Sequence, residues 1–302
     1  MDKVTFSSHF GVSLAGDLYH PCDFNPDTTY AAIITVSPAG GVKEQTSGLY
    51  AQKLAKEGFI TLSFDAFSRG ESGGLPRYQE SSIARVEDIR GAVDYLVSLP
   101  YVDANHIAVL GICAGGGYAA SAAMTERRIK AVGLVVPVNG GRENRAAGQQ
   151  ATIASLEQIA ELRSAESRGE EPTLSAWIPD EYINSTDIDQ REAYDYYRTS
   201  RGGLHPNWEN KVQMSTMDAV MAFDAFYLAD MLLTQPLRII VGSKIGSFGS
   251  NQDGHTLYED AASTKKDIVV MEGASHFDLY DKPQYVDVAV DSFAAFFRAN
   301  LS

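Results

Sequence analysis

The chain has 302 residues, of which 44% are hydrophobic and 21% charged, and its formal net charge is −14. That length can bury a sizeable core, as one large domain or as a core domain with an insertion. The acidic balance repels phosphate backbones and anionic lipid surfaces, which argues against nucleic-acid and membrane partners.

The chain opens Met1-Asp2-Lys3-Val4-Thr5, with no basic stretch leading into an apolar run, so no signal peptide is expected. Residues 12–18 read as an early strand, with Gly16 inside it. Residues 30–36, Tyr-Ala-Ala-Ile-Ile-Thr-Val, form an apolar run without alternation, the pattern of a strand covered on both faces. Pro38-Ala39-Gly40-Gly41 breaks it. Residues 44–57 are helical, carry Leu49, Leu54 and Ala55 toward the core, and stop at Gly58. A buried strand at 59–64 leads into a Gly-rich loop at 65–75. Residues 82–99 form an amphipathic helix with Ile83, Val86, Ile89, Val93 and Leu96 on one face, ended by Pro100.

A strand at 107–112, a helix of small residues at 114–125 and a strand at 129–138 follow. The core pattern resumes only at 237–241 and 266–271. A last helix at 285–301 carries Val286, Val290, Phe293 and Phe297 on one stripe. Strands alternating with helices predict a mainly parallel sheet covered on both faces. Between Val138 and Leu237, about a hundred residues hold no clear strand, too many for a structureless loop. Three helical stretches, 151–167, 188–198 and 215–233, lie there among Trp177, Tyr182, Tyr194, Tyr196, Tyr197, Trp208, Phe223, Phe226 and Tyr227. A helical cap over residues 140–234 is therefore expected, inserted in a core of 1–139 and 235–302. Its aromatics serve chiefly as the cap's own core. No window approaches the roughly twenty uninterrupted apolar residues of a transmembrane helix.

The chemistry gathers at Gly111-Ile112-Cys113-Ala114-Gly115-Gly116, between a buried strand and a helix. That is the setting of a nucleophile elbow, whose neighbours two before and two after must be small. Cys113 is the expected nucleophile, and the start of the helix is expected to favour its thiolate. His276, in Gly273-Ala274-Ser275-His276-Phe277, is the one histidine of six in the loop after the last strand, where the base of a triad belongs. The oxyanion donors expected are the N–H of Ala114 and that of Ala39 or Gly40.

The acid is harder to place. The loop 242–254 has no carboxylate in its first positions. Asp253 is the first available, with Glu259 and Asp260 behind it on a helix. Glu44 is a second kind of candidate, a partner for the thiol or for water. Without an acid the pair would work as a Cys-His dyad, since cysteine depends less on a third member. The other cysteine, Cys22, completes neither a disulfide framework nor a zinc spacing. A reducing, cytoplasmic setting is expected, and no metal or organic cofactor is implied.

With these motifs the chain resembles the α/β-hydrolase superfamily, and its Gly-x-Cys-x-Gly-Gly elbow resembles that of dienelactone hydrolases. Gly41-Val42-Lys43-Glu44-Gln45 and the segment Gly273 to Asp281 look like a bacterial and fungal group that includes polyketide transferases and thiohydrolases. The resemblance implies an α/β-hydrolase fold and a small-molecule acyl substrate, an ester, lactone or thioester, cleaved through an acyl-cysteine intermediate. Acyl transfer on the same site, or a non-catalytic binding protein on this fold, are the alternatives. The long cap and the displaced acid depart from the dienelactone hydrolase pattern.

Overall fold

The computed structural model describes residues 1–301. In chain order its first strands are β1 (Asp2–Ser7), β2 (Ser13–Tyr19), β3 (Tyr30–Val36), β4 (Ile60–Phe64), β5 (Val102–Ile112) and β6 (Ile129–Val135). Two-residue strands β7 (Leu174–Ser175) and β8 (Val212–Gln213) follow, then β9 (Leu237–Gly242) and β10 (Lys266–Met271). The eight long strands form one sheet in the order β1-β2-β4-β3-β5-β6-β9-β10. The β1–β2 and β2–β4 pairs are antiparallel, and every pair from β4 to β10 is parallel.

Continuous apolar runs make the middle of this sheet. All five residues of β4 are buried, and β3, β5 and β6 are buried along their C-terminal halves. Such strands need a helix on each face. These are supplied by α1 (Thr46–Lys56), α2 (Ser82–Val97), α3 (Ala114–Thr125) and, at the far end of the chain, the helix Pro283–Asn300. Helix α3 is rich in alanine and glycine and lies close on the sheet, with Ala119, Ala120, Ala122 and Ala123 fully buried.

The segment between β6 and β9 carries α4 (Gly140–Asn144), α5 (Gln149–Ser167), α6 (Ile188–Arg198), α7 (Met217–Ala222) and α8 (Ala229–Leu232), with β7 and β8 paired as a small ribbon. The core then closes with α9 (Ser250–Asp260), α10 (Asp278–Asp281) and α11 (Pro283–Asn300). Among the described residues no helix is long and apolar enough to cross a membrane.

Three expectations are corrected. The stretch 215–233 is not one helix. The Asn139 side chain enters it, with Nδ2 donating to Asp224 (2.7 Å) and Oδ1 accepting from the Ala225 N–H (3.2 Å), and the chain is broken there. Ile83 does not face the core but is 66% exposed. The buried face of α2 instead takes Arg85 and Asp88, which hold neighbouring turns: Arg85 donates to the Ser37 carbonyl, and Asp88 accepts from the Phe67 N–H at 2.7 Å. Strand β6 ends at Val135, because Val136 turns to φ 41°. Strand β1 has no counterpart in the sequence reading. It lies at the sheet edge with Phe6 as its one buried residue, so its pattern is too weak to stand out.

Candidate active site

The site lies at the C-terminal edge of the sheet, where β5 passes into α3. Cys113 is held there at φ 57°, ψ −128°, a conformation that costs a non-glycine residue about 1–3 kcal/mol. Its N–H donates to the Val135 carbonyl (3.0 Å), and its carbonyl accepts from Gly116 (2.8 Å) and Val138 (2.9 Å). The glycines are required by contact. A Cβ on Gly111 would strike the Gly115 carbonyl and Ala119, and one on Gly115 would strike the carbonyls of Val36 and Ser37. The strand, the turn and the first turn of α3 thus touch backbone to backbone, and the cysteine side chain is left to project.

It projects onto the floor of a cavity of about 330 Å³. One side of this cavity is formed by Ala39, Cys113, Ala114, Tyr118 and Tyr280, and the other by Trp177, Ile178, Trp208, Met217 and Val220 of the segment between β6 and β9. Trp208 stacks on Tyr197, with ring centroids 5.0 Å apart. The carboxyl groups on the wall are Glu80 and Glu143, and among the described residues no lysine, arginine or histidine lines it.

The Ala114 N–H is directed at the Cys113 sulfur. Ala39 shares this cavity, on a turn fixed by the Gly41 N–H donating to Pro38 (3.1 Å) and by Arg85 donating to Ser37 and Pro38. Gly40 does not line it. With φ 66° it lies beneath the Trp177 indole, which a Cβ would strike. Its smallness serves the cap, and of the two oxyanion candidates on this turn the structure places Ala39 on the cavity.

His276 is buried, with Phe248 edge-on to its ring (centroids 5.3 Å apart). Burial lowers its pKa to about 3. Nδ1 meets the Ser250 hydroxyl at 3.0 Å, and Nε2 meets the Tyr280 hydroxyl at 3.1 Å. Tyr280 lines the cavity with Cys113. Its hydroxyl thus joins the cavity wall to His276, and Ser250 stands on the far side of the imidazole.

The structure does not bring Asp253 to His276. Asp253 is buried, but Oδ1 accepts from Arg142 Nε (2.6 Å) and Oδ2 accepts from Arg142 Nη2 (2.8 Å) and the Asn139 N–H (2.7 Å). It joins the start of the cap to the loop 242–254, where Arg142 also donates to the Phe248 carbonyl (2.8 Å). Ser250, one helical turn earlier, stands at the His276 ring instead. Glu259 and Asp260 sit further along α9 than Asp253.

Glu44 does not line the cavity either. Its Oε1 accepts from Lys43 (2.7 Å) and from the cap residue Asn207 (2.8 Å). Burial opposes its ionisation, but those two bonds prevail and lower its pKa. Lys43 also bridges Asp65 (3.0 Å) and Glu71 (2.6 Å), so Glu44 belongs to a charge cluster that seats the cap.

The thiol itself departs from expectation. Burial pushes its pKa up to about 12, and the nearby Tyr280 hydroxyl and Ala114 N–H, which act the other way, do not offset that. The charges of Glu143 and Asp189 push the same way. Burial thus acts against the thiolate that the helix start was expected to favour.

Three residues were missed by the sequence reading. Tyr280 follows His276 by four positions, one helical turn, and that spacing was its signal. Ser250 sits in the loop searched for a carboxylate, and a hydroxyl carries no such signal. Glu143 opens the cap, where nothing in the pattern separates it from a surface acid.

The profile of the alpha/beta hydrolase family matches residues 42–288. The chain is 38% identical over 308 residues to protein YcjY of Escherichia coli (strain K12), covering 99% of each. It is 33% identical to protein PA2218 of Pseudomonas aeruginosa, whose crystal structure superposes with a TM-score of 0.90 over 99% of this chain and 93% of that one. It is also similar to a thiohydrolase of Eupenicillium brefeldianum, 23% identical over 287 residues, 94% of this chain and 89% of that protein.

Two outcomes follow from this geometry. Asp253→Ala leaves Arg142 without its buried partner, so chemical unfolding is expected to show a loss of about 3 kcal/mol; a collapse in turnover with stability intact would show that Asp253 acts on His276 after all. In the free protein at neutral pH, iodoacetamide is expected to modify the exposed Cys22 before the buried Cys113, read by peptide mass. Faster modification of Cys113 would mean that the resting sulfur is open and ionised.

Proposed function

We propose that this chain, which belongs to the alpha/beta hydrolase family, cleaves a carboxylic ester or thioester through an acyl group carried on Cys113. The observation that supports this most directly is the placement of one strained cysteine on the floor of a largely apolar cavity, with Ala114 beside it at the start of α3. A structural cysteine needs no such conformation, and strain of this kind is retained where it serves a site. The similarity to a thiohydrolase points the same way.

In this reading the Cys113 sulfur attacks the substrate carbonyl as its proton leaves toward His276. Negative charge builds on the carbonyl oxygen and is met by the N–H groups of Ala114 and Ala39, fixed before the reaction begins. The leaving group departs protonated, and water attacks the acyl-cysteine to release the acid. A thiol with a raised pKa gives up its proton only as the new bond forms, so activation is tied to bound substrate rather than standing in the resting protein.

The largely apolar, aromatic wall favours a neutral acyl part. A carboxylate or phosphate placed inside would lose its hydration with no lysine, arginine or histidine on the lining to bind it, since Arg69 and Arg85 lie behind the wall, 3.7 and 3.9 Å from Glu80. Both cysteines are free, which fits the proposed reducing, cytoplasmic setting.

A panel of ester and thioester substrates with varied acyl chains, run beside Cys113→Ala, tests this reading. Neutral acyl chains are expected to be turned over, dicarboxylic half-esters are expected to be poor by tenfold or more, and Cys113→Ala is expected to be inactive. Turnover by Cys113→Ala at a rate near that of the unaltered protein removes the acyl-cysteine from consideration.

A further inference from the structure

The cavity and the proposed base are not in contact. His276 is buried and does not line the cavity, whereas Tyr280 lines it beside Cys113. The Tyr280 hydroxyl stands 3.1 Å from His276 Nε2, on the wall of the cavity that Cys113 floors. Resting on the acyl-cysteine reading above, we propose that Tyr280 is a catalytic residue that carries the proton between Cys113 and His276.

The donors and acceptors line up for it. With Nδ1 protonated and donating to Ser250 (3.0 Å), Nε2 holds a lone pair that accepts from the Tyr280 O–H. The phenol oxygen keeps a lone pair that can take the thiol proton when the sulfur attacks. When the sulfur attacks, its S–H bond breaks and its electron pair forms the S–C bond to the carbonyl. The thiol proton forms a new O–H bond on Tyr280 as the original Tyr280 proton moves to Nε2. Tyr280 stays neutral throughout, and His276 becomes the imidazolium. The reverse transfer delivers the proton to the departing sulfur or oxygen of the leaving group. Burial holds the phenol pKa far above neutrality, so a free tyrosinate is not an intermediate and the two transfers are coupled.

The backbone around the hydroxyl is anchored as such a role requires. Tyr50 donates to the Leu279 carbonyl at 2.9 Å, and Thr46 donates to the Tyr280 carbonyl at 3.0 Å, so α10 is tied to α1 on both sides of the ring's attachment. Tyr196 packs edge-on against the ring with centroids 5.1 Å apart. A side chain that merely filled space here would need no hydroxyl.

The test is the rate at which an activated neutral ester acylates Cys113, measured by stopped flow and by intact-protein mass. Tyr280→Phe keeps the ring and is expected to lower that rate by about a hundredfold, with the unfolding midpoint little changed. His276→Ala is expected to lower it similarly, and the double variant by no more than either alone, because both act on one proton path. In the unaltered protein, the rate in mixtures of light and heavy water is expected to follow a curve with two protons in flight. Acylation by Tyr280→Phe within about threefold of the unaltered protein, or faster, overturns the proposal, since the tyrosine would then only screen His276. A linear dependence on deuterium content overturns it too, and that measurement stands even if Tyr280→Phe does not fold. Failure of the unaltered protein to acquire any adduct on Cys113 is a different result, which removes the acyl-cysteine reading itself.

Discussion

The turn that carries Cys113 is the constraint on which the remainder of the site depends. Strand β5 must pass into α3 within one residue, and the cost of φ 57° at Cys113 is met by three backbone hydrogen bonds to Val135, Gly116 and Val138. Those bonds fasten the cysteine to the end of β6, so the position of the sulfur is set by the pairing of two central strands rather than by a loop. The same crowding forces glycine at 111 and 115, where side chains would meet carbonyl oxygens. It also leaves the Ala114 N–H at the start of the helix, free to face the sulfur.

Everything above that turn serves to close it off. The cap is seated by buried charge: Asp253 on Arg142, and Glu44 between Lys43 and Asn207. These carboxylates are spent on fixing the segment between β6 and β9 to the core. Burial raises the thiol pKa and depresses that of the imidazole, because it penalises the charged form of each. A resting ion pair between cysteine and histidine is thereby disfavoured.

Much of this was legible in the sequence where a local rule decides the outcome. The strand 30–36 and the helix 114–125 coincide with β3 and α3, because an apolar run between breakers and a block of small residues admit few other structures. The same holds for 188–198 and 266–271, which coincide with α6 and β10. The tight turn at Cys113 and the position of His276 in the loop before α10 were legible for the same reason: the turn requires glycine at fixed offsets, and the loop follows a recognisable strand.

What escaped depends on which partner a polar side chain finds. Asp253 has the right type and the right loop, yet Arg142, more than a hundred residues away in the chain, takes both of its oxygens. Arg85 and Asp88 turn inward on a face that periodicity assigns to Ile83, since buried turns needed their hydrogen bonds more than the core needed one more aliphatic group. No pattern along the chain encodes such choices, which are made between distant segments. Whether Cys113 carries the acyl group is the claim on which the account stands. Rapid quenching of the protein with an activated ester, followed by mass analysis of its peptides, tests that most directly. The account predicts an acyl mass on the peptide containing Cys113 that appears before steady-state product release; turnover with no adduct, or with the adduct on another residue, would contradict it.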